Sequence, residues 1–165
     1  MWLRKDKLLI VAASVVEGAR CDEQGVWLGL SMADFDAFTG LLAWRGADED
    51  LGRGLRDGLV ASRLNVPRPP AWANGVGSDK PEMDARLAAE FGLANARRLY
   101  EGMLGPGAAW ALGVVTLYPS RRRHGGQFEA FQAPWADQHP PLSLPFSSSD
   151  AELGRAIRTC VDRCA

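Results

Sequence analysis

The chain carries one pattern at two places, and this repeat constrains the fold more than any other feature. Residues 48–58 read DEDLGRGLRDG, and residues 150–160 read DAELGRAIRTC. The shared positions are Asp48, Leu51, Gly52, Arg53 and Arg56 in the first copy and Asp150, Leu153, Gly154, Arg155 and Arg158 in the second. Aliphatic residues recur at helical spacing in both copies, which predicts two amphipathic helices.

The glycine inside each predicted helix is a second signal. A glycine in a helix interior costs about 1 kcal/mol relative to alanine. Its presence at the same place in both copies, as Gly52 and Gly154, predicts that another backbone approaches closely there. The repeat therefore indicates two structurally related halves. Two surface helices that resemble each other by chance are the simpler alternative, and the sequence leaves it open.

Composition limits the size, the compartment and the partners. The 165 residues, 47% of them hydrophobic, suffice for one domain with a core. A stretch rich in Pro and Gly, 67–77, divides the chain, so we expect one domain, 1–165, with halves of about 1–66 and 80–165. The net charge of −1 gives no broad field for nucleic acid or an anionic membrane. The apolar run 8–16 is too short to cross a bilayer, and the odd count of three cysteines favours a reducing cytoplasm.

Local patterns in the first half predict a hairpin and two helices. The continuous apolar run Leu8–Val16 reads as a buried strand, and Val26–Leu30 reads as its hairpin partner across a turn at 21–25. Ser31 is predicted to cap a short helix that continues through Asp34 to Phe38. The first repeat helix is predicted over about 48–63, with Asp48 as its N-cap.

The second half follows a similar order. Pro81 opens a predicted helix that Gly92 ends, and 93–103 continues as a second short helix. Trp110–Tyr118 is predicted as a strand that forms a hairpin with 127–132. Leu142–Leu144 is predicted as a short edge strand, and Asp150 as the N-cap of the second repeat helix. Together the patterns predict an α+β fold, with a mostly antiparallel, possibly mixed sheet packed against helices.

Several of these segments resemble one known family in their chain order. They are the DxxLGRxxR helix at 150–158, the helical segment LAAEFGLANARRLY at 87–100, the GGQF turn at 125–128 and the 8–30 segment that ends in WLGL. In these the chain resembles the immunity proteins of bacterial contact-dependent growth inhibition (CDI) systems. The residues 31–47 depart from the resemblance, because they are longer than the passage that the family uses between strand and first repeat helix.

The resemblance implies a function as well as a fold. Such a protein is a cytoplasmic non-enzyme that needs no cofactor. It binds the C-terminal toxin domain of its cell's own delivery protein, often a nuclease, and neutralises it. The resemblance transfers no toxin-contacting residues, so candidates have to come from the sequence itself.

The acidic residues are the first candidates for contacting the toxin. A nuclease attracts phosphates, so its active cleft is basic, and an inhibitor that presents carboxylates gains encounter rate and specificity. The acids that could do this are Asp34, Asp36, Asp48, Glu49 and Asp50. Ordinary capping of helix starts is the alternative role for 48–50. Trp72 and Trp135 lie in Pro-rich loops and are candidate exposed anchors, since Trp is enriched at interface hot spots.

Two other classes of function stay open as alternatives. A small enzyme could use Cys160 or a histidine, although no partner residues can be placed from sequence. A nucleic-acid-binding domain could use the basic run 121–124, although no aromatic residues interleave it. Cys160, Cys164, His124 and His139 have no zinc-site spacing, so we expect no metal. The glycines of 75–80 lack the frame of a phosphate-binding loop.

Overall fold

The computed structural model describes residues 1–18, 20–21, 27–28, 31–64, 66–67, 80–122, 128–130 and 137–165. The strands are β1 (Trp2–Arg4), β2 (Lys7–Val15), β3 (Arg20–Cys21), β4 (Trp27–Leu28), β5 (Ser31–Ala43), β6 (Gly107–Ala111), β7 (Val114–Tyr118), β8 (Ser120–Arg122), β9 (Phe128–Ala130) and β10 (Leu142–Pro145). The helices are α1 (Asp48–Ala61), α2 (Lys80–Glu90) and α3 (Asp150–Asp162). The predicted α+β class is confirmed.

Two similar units make up most of this architecture. In the first, the antiparallel sheet β1-β2-β5 is followed by α1; in the second, the antiparallel sheet β6-β7-β10 is followed by α3. The strand β3 pairs only with β4, and β8 pairs only with β9, among the residues that the structure describes. One isolated parallel bridge, between Val16 and Val66, accompanies the antiparallel pairings.

Equivalent hydrogen bonds show how closely the two units correspond. The amide of Trp44 donates to the carbonyl oxygen of Asp6 at 2.6 Å, and the amide of Phe146 donates to that of Gly113 at 2.8 Å. In both pairs the residue just after a sheet's last strand binds the hairpin turn of the same sheet. The pattern repeats at the helix ends, where the Ser62 hydroxyl and the Cys164 thiol each donate to a carbonyl oxygen one helical turn earlier. The repeat in the sequence is therefore a repeat in structure.

The core lies between the two units. Side chains from α1, α3 and the inner faces of both sheets form one cluster that includes Leu8, Leu51, Val115, Leu153 and Ile157. A second cluster lies on the other face of the first sheet, where Leu9 packs against Leu87 and Phe91 of the α2 layer. The strand β2 is therefore covered on both faces, and Leu8, Leu9 and Ile10 are buried in succession. This confirms the strand predicted from the continuous apolar run.

The residues 31–43 form a strand, so the helix predicted from Ser31 is wrong. The pairing of β2 with β5 jumps from Ala12–Asp34 to Val11–Thr39, which leaves residues 35–38 as a bulge. Inside the bulge the Thr39 hydroxyl donates to the carbonyl oxygen of Phe35 at 2.8 Å, a local contact of helical spacing. The bulge sends Phe35 into the second core cluster and Phe38 toward the first. The predicted hairpin between 8–16 and 26–30 is also wrong, because β1 and β5 are the partners of β2; residues 22–26 and 29–30 lie outside the described residues.

The second half contains one hairpin more than predicted. Leu112 and Gly113, both with positive φ, form a two-residue turn that splits the predicted strand 110–118 into β6 and β7. The predicted hairpin of 110–118 with 127–132 is wrong, because β7 pairs with β6 and β10 while β9 pairs with β8. Residues 127, 131 and 132 lie outside the described residues. The predicted helix over 93–103 is a single 3-10 turn, Ala96–Arg98. The predicted edge strand 142–144 is confirmed as β10 (Leu142–Pro145), and the predicted helix from Pro81 is confirmed as α2 (Lys80–Glu90). Gly92, with a φ of +69°, lies just after the end of this helix.

Candidate functional site

The two repeat helices cross at their glycines. A Cβ atom added to Gly52 would lie 1.8 Å from the carbonyl oxygen of Asp150, and one added to Gly154 would lie 1.9 Å from that of Asp48. Real Cβ atoms essentially never approach a heavy atom closer than 3.0 Å. The close backbone approach predicted from the repeated glycine is therefore confirmed, and each helix meets the start of the other.

The second arginine of each repeat binds the loop that precedes the other repeat helix. Arg56 donates to the Asp150 carboxylate at 2.9 Å and to the carbonyl oxygens of Phe146 and Ser148, both at 2.6 Å. Its guanidinium also lies 5.0 Å from the centre of the Phe146 ring. The planar fork of arginine suits such a set of acceptors.

Arg158 makes the same contacts in the opposite direction. It donates to the Asp48 carboxylate at 2.6 Å and to the carbonyl oxygens of Trp44 and Gly46 at 2.6 and 2.7 Å. Its guanidinium lies 4.9 Å from the centre of the Trp44 ring. The spacing of Asp, Gly and Arg that the two copies share thus produces reciprocal contacts between the two units. We call the contacts of Arg56 and Arg158 the arginine lock.

These contacts correct the predicted helix caps. Asp48 and Asp150 are the first helical residues, and the N-caps are Ala47 and Ser149. Ala47 provides no side-chain cap, whereas Ser149 and Glu152 form a capping box. Both aspartates instead accept from an arginine of the other unit, so the Asp48 carboxylate is already engaged inside the molecule.

The predicted toxin-contacting acids separate into engaged and exposed groups. Asp34 is 6% exposed, and its carboxylate accepts from the Ser14 hydroxyl and from Arg63 Nε at 2.8 Å. Asp36 is exposed on β5 and paired with Arg86 at 2.8 Å. Glu49 and Asp50 are exposed on the first turn of α1. Trp72 and Trp135 lie outside the described residues.

The buried Asp34 carboxylate gives a pH-dependent contribution to stability. Burial by itself raises the pKa of Asp34, but the hydrogen bonds from Ser14, Arg63 and the Ala37 amide outweigh it and hold the pKa below its usual value. A carboxyl whose pKa is lowered by folding stabilises the protein above the pKa of the unfolded chain and loses this effect as the pH falls through the folded value.

We therefore expect Asp34→Asn to lower the free energy of unfolding by about 1–3 kcal/mol at pH 7, because asparagine offers one acceptor oxygen in place of two and no negative charge to pair with Arg63. The difference from wild type should begin to shrink below about pH 4, the pKa of the carboxyl in the unfolded chain, and should vanish as the pH falls through the lower pKa of the folded state. Urea unfolding of both proteins between pH 3 and pH 7 measures this. Asp36→Asn, on the same strand but exposed, serves as the control, and an effect equal to that of Asp34→Asn would contradict the interpretation.

Each unit has a shallow groove between its last sheet strand and its helix. The first groove, of about 300 Å³, is lined by Phe38, Leu41, Leu42, Asp50, Arg53 and Asp57 together with small residues. The second groove, of about 310 Å³, is lined by Leu142, Ser143, Leu144, Glu152, Arg155, Ala156 and Thr159. The linings occupy equivalent positions of the repeat, so the grooves are two versions of one surface. The sequence patterns did not single out Leu41 or Asp57. For Asp57 a signal exists, because the second copy of the repeat has the uncharged Thr159 at the same position.

Residues that could serve an enzyme or a nucleic-acid-binding domain form contacts within the fold where the structure describes them. Arg121 is paired with Glu129 at 2.9 Å, and Arg122 donates to the carbonyl oxygen of Tyr100; Arg123 and His124 lie outside the described residues. A hydrogen bond from Cys160 lowers the pKa of Cys164 to about 7, and the same contact together with burial raises the pKa of Cys160. Cys164 corresponds to Ser62, since each also accepts from a β-strand amide, so the thiol has a structural counterpart.

Metal-ligand clusters and membrane-spanning helices can be assessed for the described part of the chain. Nowhere in it do three or more His, Cys, Asp or Glu side chains gather as a metal ion would require. No helix in the same residues is long and apolar enough to cross a membrane.

Comparison with known proteins decides the family. The family model described as CDI immunity protein matches residues 23–164. The chain belongs to the CDI immunity protein family. As a member, it is an immunity protein that neutralises a CDI toxin by binding the toxin domain. This agrees with the resemblance drawn from the sequence.

Solved structures share the fold of this immunity protein at low sequence identity. A protein of unknown function from Neisseria meningitidis superposes with a TM-score of 0.76 at 19% identity, covering 99% of this chain and 92% of that chain. A CdiA-CT/CdiI toxin and immunity complex from Yersinia pseudotuberculosis contains a chain that superposes with a TM-score of 0.74 at 19% identity, covering 99% and 94%. No curated protein matches the sequence significantly.

Proposed function

We propose that this immunity protein acts in the cytoplasm by covering a surface of the toxin domain of its own CDI system, that it catalyses no reaction, and that the toxin is a nuclease. The observation that carries the proposal is the family match over residues 23–164. The Yersinia pseudotuberculosis relative, whose structure is a complex of toxin and immunity protein, supports a mechanism by direct binding.

The surface of the molecule is compatible with this mechanism. The two grooves described above are open and shallow, and their apolar linings are edged by charged side chains. Such surfaces suit a polypeptide partner, whose interface combines an apolar centre with a polar rim. Among the predicted toxin-contacting residues, Glu49 and Asp50 are exposed and stay candidates, as do Trp72 and Trp135. Asp34 and Asp48 are engaged within the fold and are better explained as structural residues.

The decisive experiment combines copurification with an activity assay. The toxin domain encoded immediately upstream is coexpressed with the tagged full chain, and we expect the two to copurify in a one-to-one complex. The free toxin domain is then incubated with RNA and with DNA, and we expect cleavage of one of them that stops when the immunity protein is added in stoichiometric excess. A toxin domain from another CDI system serves as the control and should keep its activity.

Two outcomes would contradict the proposal. If the cognate toxin domain keeps full activity in the presence of excess immunity protein, the proposal that binding neutralises it fails. If the double variant Cys160→Ala/Cys164→Ser folds and binds the toxin domain but no longer protects, then chemistry at these thiols is required and the non-enzymatic mechanism fails. Serine at 164 preserves the hydrogen bond that Ser62 makes in the first unit.

A further inference from the structure

We infer that the first groove is the part of the immunity protein that receives the toxin domain, and that its occupant is a cationic segment of the toxin with an adjoining apolar side chain. This inference rests on the proposed function, since the occupant is the toxin domain. It is based on a comparison of the two grooves, which are built on equivalent strands and helices and have nearly the same volume. Differences between their linings therefore indicate what is particular to the first groove.

The two grooves differ in charge at equivalent positions. Asp57 of the first groove corresponds to Thr159 of the second. Glu49, on the first turn of α1 but outside the groove lining, corresponds to Ala151. Asp50 corresponds to Glu152, but the Glu152 carboxylate accepts from the amide and the hydroxyl of Ser149 at 2.8 and 2.7 Å. The acid of the second groove is therefore used to cap α3, whereas those of the first are not used for capping.

The carboxylates of the first groove are also short of cations. Within the described residues, Glu49 and Asp57 form no ion pair or hydrogen bond through their side chains. Asp50 has only Arg53, at 3.7 Å, and both of these side chains are about three-fifths exposed, at 59% and 62%. Among the residues that line the first groove, Arg53 is the one cation beside the carboxylates of Asp50 and Asp57, and it also lies 3.9 Å from Asp150. The surplus of negative charge at this groove is complementary to lysine or arginine from a partner.

The apolar residues of the first groove are the reason for inferring an apolar side chain next to the cationic segment of the toxin. Leu41 is 41% exposed, whereas its counterpart in the second groove is Ser143. Phe38 and Leu42 line the same groove, and Gly54 lies in the lining where the second unit has Ala156. An arginine or lysine stem, or an aliphatic neighbour, can cover such a surface while the charged group reaches the rim. The combination of apolar lining and acidic rim is the arrangement of a protein interface.

The repeat itself supplies the substitutions for the test. The triple variant Leu41→Ser/Glu49→Ala/Asp57→Thr gives the first groove the residues of the second, which this fold already accommodates. The control variant Glu101→Gln/Asp137→Asn makes the same change in net charge at exposed acids elsewhere. The single variants Asp57→Arg and Asp137→Arg form a second matched pair. Thermal unfolding of each full-length variant verifies that it is folded before binding to the purified cognate toxin domain is measured.

We expect the triple variant and Asp57→Arg to raise the Kd for the toxin domain by about 100-fold at low salt, which is the size of a hot-spot loss. Wild-type affinity should fall with rising salt more steeply than that of the triple variant, because exposed charge pairs are screened. Both control variants should bind as wild type does.

Three other outcomes would overturn the inference, and they differ in whether the proposed function fails with it. If wild type binds and both groove variants bind equally well, the groove is not the interface and the inference is wrong, while the proposed function stands. If wild type does not bind the toxin domain, the proposed function fails and the inference falls with it. If sedimentation shows that the free chain is a dimer that Asp57→Arg dissociates, the occupant is a second copy and the inference is also wrong.

Discussion

Gly52→Ala and Gly154→Ala should each lower the free energy of unfolding by more than about 3 kcal/mol. The added methyl group would lie within 2 Å of a carbonyl oxygen of the other repeat helix. A backbone carbonyl cannot change its position by rotation as a side chain can. The two repeat helices therefore have to move apart to accommodate the methyl group. That separation would also lengthen the contacts of Arg56 and Arg158. Urea unfolding followed by far-UV circular dichroism measures the loss.

Gly54→Ala is the matched control, because it makes the same change in the same helix. The added Cβ would meet the Leu42 side chain at 2.6 Å, and a leucine end can move. The gain in helix propensity, about 1 kcal/mol, offsets part of that rearrangement. The second unit already has Ala156 at this position. We expect a change of less than about 1.5 kcal/mol, and an effect as large as that of Gly52→Ala would contradict the helix-crossing explanation.

Arg158→Ala should lower the free energy of unfolding by about 2–4 kcal/mol. The substitution removes three hydrogen bonds and leaves the Asp48 carboxylate and two carbonyl oxygens without their donor. The Arg158 and Asp48 side chains are only 30% and 28% exposed, so water replaces the lost contacts incompletely. Arg158→Lys should recover less than half of the loss, since an ammonium group cannot reproduce the planar fork. Chemical unfolding of the two variants beside wild type gives these differences.

Arg155→Ala is the control for this experiment. Arg155 lies on the same helix but is exposed, so its removal should change stability by less than about 0.5 kcal/mol. Arg56→Ala should reproduce the effect of Arg158→Ala, because the lock is reciprocal. A large loss for only one of the two arginines would show that the two halves of the lock contribute unequally, contrary to this explanation.

Strand pairing shows how far local sequence patterns reach. The apolar run that begins at Leu8 was sufficient to predict a buried strand, because three successive buried residues require cover on both faces. The partner of that strand was not predictable in the same way. Sequence proximity favours 26–30 as the partner, whereas β5 pairs with β2 through a bulge that no periodicity of 31–43 reveals. The turn at Leu112 was missed because leucine at positive φ is not a usual turn signal.

The candidate site also combines features that local sequence predicts with features that depend on residues distant in the chain. That acids near the start of α1 are exposed follows from their place on a helix, and Glu49 and Asp50 are indeed exposed. That Asp34 and Asp48 are engaged depends on Arg63 and Arg158, which no local pattern connects to them. The role inferred for Asp57 and Leu41 comes from comparing the two grooves as equivalent surfaces, and no local pattern indicates it.

The sequence alone predicts two related helices with a close backbone approach at one glycine of each, and it shows a resemblance to the CDI immunity proteins. The helix predictions depend on residue spacing within short segments, which helical geometry converts into one face. The pairing of the strands, the aspartates that the arginines engage and the groove that carries more negative charge are revealed by the three-dimensional contacts alone. Those outcomes depend on contacts between residues far apart in the chain, and their energies are set by burial and by partners that no local pattern specifies.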